Sequence, residues 1–235
     1  LGDPNLAEFA NGEIHCRFSE SIRGCDAFIV QTHSGSDRAS INDSLMEQLI
    51  MVDAARRASA KRITVVCPSF GYGRQDRKAS GREPITAKLV ANLFKEAGAS
   101  RLVSVDLHSG QTQGFFDGPV DHLTAMPVLV EKLASLKGKL TIVSPDAGRV
   151  KVAERYAMTL GAELAIVHKR RSHSSFNTVE AREVVGDVSG RVCVLVDDMI
   201  DTAGTICSAA EQLAERGASQ IVAAATHGVF SGPAA

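Results

Sequence analysis

The sequence predicts an α/β fold: two doubly wound domains, each built on a mainly parallel sheet. Three observations lead there. Short apolar runs alternate with helical stretches of roughly 10 to 20 residues, the signature of βαβ units. The apolar runs are continuous rather than alternating, as expected of strands buried on both faces. Three of the runs pass straight into aspartate, at Asp106, Asp146 and Asp197-Asp198. Ligands of open α/β sheets bind beyond the carboxyl ends of strands, so these carboxylates are expected at ligand-binding edges.

Each element follows from its local pattern. Ala27 to Gln31 is a short apolar strand. Ile41 to Ala60 places Leu45, Leu49, Val52 and Ala55 at helical spacing. Ile63 to Cys67 is a β-branched strand stopped by Pro68. Pro84 leads into a helix from Ile85 to Ala97, closed by Gly98. Leu102 to Val105 is a strand. Pro127 to Leu136 reads as a helix and Leu140 to Val143 as a strand. Val150 to Leu160 is a helix closed by Gly161, and Leu164 to Val167 is a strand. Val192 to Val196 is a strand, Thr205 to Arg216 a helix closed by Gly217, and Ile221 to Ala225 a strand. The stretch Asp117 to Pro127, with two prolines and a glycine, marks a domain boundary, giving residues 1–125 and 126–235.

Composition narrows the function classes. The 235 residues are 44% hydrophobic and 23% charged, as in ordinary globular proteins. The 26 basic and 27 acidic residues leave a net charge of −1. That balance argues against a nucleic-acid binder or a polybasic membrane binder. No apolar run approaches the about 20 residues of a membrane span. No basic-then-apolar leader precedes Leu1, so a cytoplasmic location is expected. The five cysteines are odd in number and lack metal-knuckle spacing. They read as buried small hydrophobes in a reducing compartment.

The sharpest chemical signal is the string Val194-Leu195-Val196-Asp197-Asp198-Met199-Ile200-Asp201-Thr202-Ala203-Gly204-Thr205. A buried strand delivers carboxylates, and a short loop then opens a helix. The free N–H groups and positive dipole end of a helix N-terminus suit phosphate. The carboxylates suit sugar hydroxyls, which donate hydrogen bonds to them. The plainer alternative is an acidic helix cap. The whole string resembles the phosphoribosyl-binding loop of type I phosphoribosyltransferases and their relatives.

A second string, Asp106-Leu107-His108-Ser109-Gly110-Gln111-Thr112-Gln113-Gly114-Phe115-Phe116-Asp117-Gly118-Pro119-Val120-Asp121, sets an imidazole and several carboxylates around a turn. Oxygen-rich groups of this kind suit Mg²⁺; a structural histidine is the alternative. A third segment, His168-Lys169-Arg170-Arg171-Ser172-His173, continues as the polar stretch Ser174 to Thr178. Its composition reads as a surface loop, mobile without ligand, following a strand that ends at Val167.

The second string resembles the signature of the ribose-phosphate diphosphokinase family, also called phosphoribosyl-pyrophosphate synthetases. Further segments agree: Phe9-Ala10-Asn11-Gly12-Glu13, Tyr72 to Lys78 with Arg82-Glu83-Pro84-Ile85, and Ser144-Pro145-Asp146-Ala147-Gly148. By themselves, Asn11-Gly12 reads as an ordinary hairpin turn and Arg74 to Arg82 as a solvated basic loop.

The resemblance implies two similar doubly wound domains of the type I phosphoribosyltransferase kind. The implied reaction moves the β,γ-diphosphoryl group of Mg-ATP to the C1 hydroxyl of ribose 5-phosphate, giving 5-phosphoribosyl 1-diphosphate and AMP. His108 and Asp146 would help hold Mg²⁺. Phe9, Asn11 and Glu13 would approach adenine from a neighbouring subunit, and Arg74 and Gln75 would contact ATP. Asp197, Asp198 and the loop Asp201, Thr202, Ala203, Gly204 and Thr205 would bind ribose 5-phosphate. Lys169 and Arg171 would be the catalytic pair, on a loop that closes over the site. The resemblance further implies a homo-oligomer, a hexamer in the family, and chain elements beyond both ends of this sequence. A type I phosphoribosyltransferase and a non-catalytic regulatory homologue are the alternatives. The first leaves the histidine-aspartate signature unexplained. The second is disfavoured because the basic segment and the ribose aspartates are both present.

Overall fold

The computed structural model describes residues 2–35, 39–170 and 181–234. They form two compact units, Leu1–Thr124 and Ala125–Ala235.

The first unit opens with an antiparallel hairpin of β1 (Leu6–Glu8) and β2 (Ile14–Cys16). Then follow β3 (Asp26–Val30), α1 (Ile41–Arg57), β4 (Arg62–Cys67), α2 (Thr86–Ala97), β5 (Arg101–Val105) and β6 (Val120–Leu123). The last four strands form a parallel sheet in the order β3-β4-β5-β6. Ser40 starts α1 with a reciprocal cap: its hydroxyl accepts from the Asp43 N–H, and the Asp43 carboxylate accepts from the Ser40 N–H. Ile63, Val65 and Cys67 point from β4 into one core with Val52 and Ala55 of α1 and Val90 and Phe94 of α2. On the other face of that sheet Phe28 and Val30 stay exposed.

The second unit comprises α3 (Met126–Leu133), β7 (Leu140–Ser144), α4 (Val150–Leu160), β8 (Glu163–Arg170), β9 (Ala181–Val185), β10 (Val192–Ile200), α5 (Gly204–Glu215) and β11 (Gln220–Gly228). The sheet order is β11-β10-β7-β8-β9, parallel except for β9, which runs antiparallel to β8. Cys193 and Leu195 of β10 pack with Ala209 and Leu213 of α5. Val194 and Val196 pack with Leu133 of α3 and Ala153 and Tyr156 of α4. Both faces are thus covered, which is why the β10 sequence is apolar without alternation.

Some boundaries differ from expectation. The helix expected to reach Ala60 ends at Arg57, because Ser59 turns left-handed (φ 63°) and Ala60 N–H reaches back to Ala55 O. The strand expected to stop at Val167 continues through Arg170, and the one expected to stop at Val196 continues to Ile200. In both cases a neighbour keeps the backbone paired: Lys169 faces Arg182 on β9, and Asp197 faces Ala225 on β11. Backbone pairing holds a strand together past the point where its side chains turn polar. All five cysteines are free, but only Cys67 and Cys193 are buried; Cys25 and Cys207 are exposed.

Candidate functional site

The second unit contains a reversal of strand order. The chain passes from β7 through α4 to β8 on one side, then returns to place β10 on the other side of β7. Such a switch point opens a crevice at the carboxyl ends of its two strands. Pairing of β10 with β7 ends at Leu195 opposite Val143, and β10 runs on beside β11 alone. Asp197 and Asp198 lie on this extension. Arg149, just before α4, sets Nε 3.0 Å from Asp197 Oδ1 and Nη2 2.5 Å from Asp198 Oδ1. The Asp198 N–H also donates to Asp197 Oδ1 at 2.8 Å. Burial, and then the adjoining Asp198, raise the Asp197 pKa to about 7, against the lowering influence of Arg149.

Four residues beyond Asp197, the loop from Asp201 to Thr205 turns into α5. Ser231 N–H holds Asp201 O at 3.0 Å, while Val229 and Phe230 N–H groups hold Ile200 O. Ala203 takes a left-handed conformation (φ 60°), and α5 starts at Gly204 without a side-chain cap. The first intrahelical bond is Cys207 N–H to Ala203 O, 2.8 Å. The N–H groups of Gly204, Thr205 and Ile206 therefore precede the helical ladder and form the positive end of the helix dipole. Thr202, Gly204 and Thr205 are exposed.

Asp146 follows β7 at the same crevice. Its Oδ1 accepts from the Gly148 N–H (2.8 Å) and the Arg149 N–H (3.1 Å). Its Oδ2 has no partner among the described residues, so an exposed carboxylate oxygen stays open to a cation or a hydroxyl.

In the first unit the hairpin turn carries Phe9, Asn11 and Glu13, all exposed. Phe9 N–H bonds Glu13 O and Gly12 N–H bonds Phe9 O, each at 2.8 Å, and Asn11 Oδ1 accepts from the Glu13 N–H. Arg74 and Gln75 are exposed at the end of a tight turn that leaves β4. Gln75 is tied to the start of α2: Thr86 Oγ1 donates to its Oε1 at 2.6 Å, and Ala87 N–H to its carbonyl at 3.2 Å. Asp106 follows β5 in a left-handed conformation (φ 42°), with its N–H on Leu123 O. Leu107 N–H donates to His122 Nε2 at 2.9 Å, and His108 follows, half-buried.

The structure thus gathers Asp146, Asp197, Asp198 and the Asp201–Thr205 loop at one sheet edge. Phe9, Asn11, Glu13, Arg74, Gln75 and His108 belong to the first unit. Among the described residues no group of three or more His, Cys, Asp and Glu side chains converges as a metal cage. Lys169 has its backbone on β8 rather than in a loop, and Arg171 lies outside the described residues, as does the rest of the expected mobile segment to Thr178. Sequence reasoning missed Arg149 and a buried His33–Gln48 pair. Arg149 directly follows the Ser144–Gly148 segment, but only the fold reveals its two carboxylate partners.

Comparison with known proteins adds a second line of observation. Residues 1–98 match the model of the N-terminal domain of ribose phosphate pyrophosphokinase, and residues 179–235 that of the phosphoribosyl synthetase-associated domain. Ribose-phosphate pyrophosphokinase of Streptomyces coelicolor is 60% identical over 230 residues, 97% of this chain and 70% of the relative. The Mycobacterium tuberculosis protein of the same name is 55% identical over 231 residues, with the same coverage. The crystal structure of phosphoribosylpyrophosphate synthetase from Mycobacterium smegmatis superposes with a TM-score of 0.91 at 53% identity, covering 100% of this chain and 75% of that one. Among the described residues no helix is long and apolar enough to cross a membrane.

Proposed function

Because the chain belongs to the ribose-phosphate pyrophosphokinase family, we propose that it transfers the β,γ-diphosphoryl group of ATP to the C1 hydroxyl of ribose 5-phosphate, releasing AMP. The observation that supports this reading best is the crevice between β7 and β10. Two carboxylates, Asp197 and Asp198, sit there just before the short loop that leads into the uncapped N-terminus of α5 at Gly204. Carboxylates accept hydrogen bonds from sugar hydroxyls, and a helix N-terminus binds a phosphate dianion. A phosphorylated sugar matches both ends of that pair.

In this reading Asp197 and Asp198 orient the ribose hydroxyls, and the N–H groups and hydroxyls of Asp201 to Thr205 hold the 5-phosphate. Arg74 and Gln75 bind ATP. The exposed turn with Phe9, Asn11 and Glu13 reaches the adenine of a neighbouring subunit, in a homo-oligomer working in the cytoplasm. Holding both substrates in line converts a bimolecular transfer into an effectively unimolecular one. Lys169 and Arg171 stabilise charge on the moving group and on the leaving AMP, the largest contribution expected in phosphoryl transfer.

Mg²⁺ suits the exposed Asp146 carboxylate, a hard oxygen donor of the kind it prefers; His108, in the first unit, is the other residue that would help hold it by the family resemblance. When bound, the ion would offset the charge of the ATP phosphates. The test is AMP formation by the purified chain. It should require ATP, ribose 5-phosphate and a divalent cation together, and stop on chelation. Nucleotide formation from a free base and 5-phosphoribosyl 1-diphosphate, with no AMP formation, would reverse the assignment in favour of a phosphoribosyltransferase.

A further inference from the structure

The first unit buries a polar network that the reaction described above does not use. His33, 3% exposed, lies just after β3 with its ring stacked on Phe94 (centroids 5.8 Å apart, planes 9° apart). Its Nδ1 receives the Gly71 N–H at 2.9 Å, and its Nε2 lies 2.8 Å from Gln48 Oε1. Gln48 is fully buried on α1. Its Nε2 donates to Ile29 O (2.9 Å) and Val66 O (3.1 Å), and its Oε1 also accepts from the Cys67 thiol at 3.2 Å.

These contacts determine one another. A backbone N–H only donates, so Nδ1 must be the acceptor and the ring proton sits on Nε2. Gln48 must then turn its oxygen to His33, because its nitrogen already serves two strand carbonyls. Burial lowers the His33 pKa to about 4, so the neutral ring persists at physiological pH. The network ties β3, α1 and β4 to one amide of the turn that leaves β4.

That turn carries Arg74 and Gln75. His33 N–H holds Ser69 O at 3.1 Å, so His33 grips the turn on both sides of Phe70. A Cβ on Gly71 would lie 3.0 Å from His33 Cβ, so the close approach favours glycine. Past Gly71, Tyr72 is left-handed (φ 61°), Gly73 N–H bonds Phe70 O, and Gln75 N–H bonds Tyr72 O at 2.9 Å. From Gly71 onward the backbone has little freedom before it reaches Arg74.

We propose that His33 is a positioning residue of the ATP site: its Nδ1 holds the Gly71 amide and so sets the turn that presents Arg74 and Gln75. The inference rests on the assignment of those two residues to ATP. Buried with no acceptor, the Gly71 amide would be left unsatisfied, and the turn would relax to recover a partner.

The test measures Mg-ATP affinity of the full chain by calorimetry and, in parallel, amide exchange by NMR. His33→Phe keeps the aromatic stacking but removes the acceptor; His33→Asn restores an acceptor near the Nδ1 position. The phenylalanine variant should bind Mg-ATP on the order of tenfold more weakly, the scale of one lost buried hydrogen bond. Its Gly71, Gly73 and Gln75 amides should exchange faster while those of β4 stay protected. The asparagine variant should recover most of the affinity, and ribose 5-phosphate affinity should not change in either. Gly71→Ala, which crowds His33 without removing it, should reproduce the phenylalanine result and decides the matter if that variant does not fold. Native Mg-ATP affinity in His33→Phe, beside a weakened Arg74→Ala, overturns the role of His33. So does equal weakening by phenylalanine and asparagine. Native affinity in Arg74→Ala overturns the ATP assignment itself, and the inference with it.

Discussion

Replacing Arg149 with methionine tests how the second unit tolerates two adjacent carboxylates. Methionine keeps much of the side-chain length but removes the charge and the contacts to Asp197 and Asp198. Arg149 is 14% exposed, and the carboxylates left behind, Asp197 and Asp198, are 17% and 6% exposed. Removing one partner of a buried ion pair costs about 3–5 kcal/mol, whereas exposed pairs contribute about 0–1 kcal/mol. The pair Arg57–Asp53, 78% and 44% exposed, belongs to the second class; the Arg149 cluster belongs to the first. A loss of about 3 kcal/mol at pH 8 is therefore expected, or roughly 6–12 °C in Tm for a chain of this size. The loss should depend on pH in a definite direction. The Asp197 pKa lies at about 7 in the folded chain against an ordinary 3.8. Between those values the native state holds a proton that the unfolded state lacks, so stability falls as pH rises through the window. Removing Arg149 takes away an influence that lowers this pKa, so the variant protonates more readily and its deficit should shrink toward pH 5. Thermal unfolding followed by circular dichroism, from about pH 5 to about pH 8, supplies the measurement. Adding Asp197→Asn to the methionine variant should recover part of the deficit at the alkaline end and little at the acid end. A deficit that is the same at both ends, or no recovery in the double variant, would refute the reasoning.

Two further outcomes follow from the proposed roles. Lys169→Ala should lower kcat by a factor of order 10² or more with a much smaller change in KM for ATP, because the contact forms mainly in the transition state; steady-state kinetics at saturating ribose 5-phosphate checks this, and near-native kcat would remove Lys169 from the catalytic role. Asp201→Ala should weaken ribose 5-phosphate binding while leaving Mg-ATP binding nearly unchanged, and calorimetry with each ligand separately would expose a folding defect as equal losses for both.

Much of the candidate site was legible before folding because its parts are contiguous. The run from Val194 to Thr205 contains the strand, the carboxylates and the helix start in order, and local geometry alone brings them together. The apolar cores of β4, β7 and β10 and the helices α2, α4 and α5 were legible for a related reason: burial on a sheet face or a helix stripe leaves a periodic trace. The short strands β1, β2, β6 and β9 left no such trace. Each lies in a hairpin or at a sheet edge, with few buried side chains, and exists because a neighbouring backbone pairs with it. The same pairing carried β8 and β10 beyond their apolar runs. What only the tertiary structure decided are the contacts between residues distant in sequence. Arg149 meets Asp197 and Asp198 across the switch point, and His33 meets Gln48 and Gly71 inside the first core. A hydrogen bond or an ion pair depends on distance and direction between two groups, and no periodicity in the chain encodes which distant groups will meet. The sequence alone determined which elements form and which chemistry they bear; packing of the sheets decided which charges and donors those elements bring into contact.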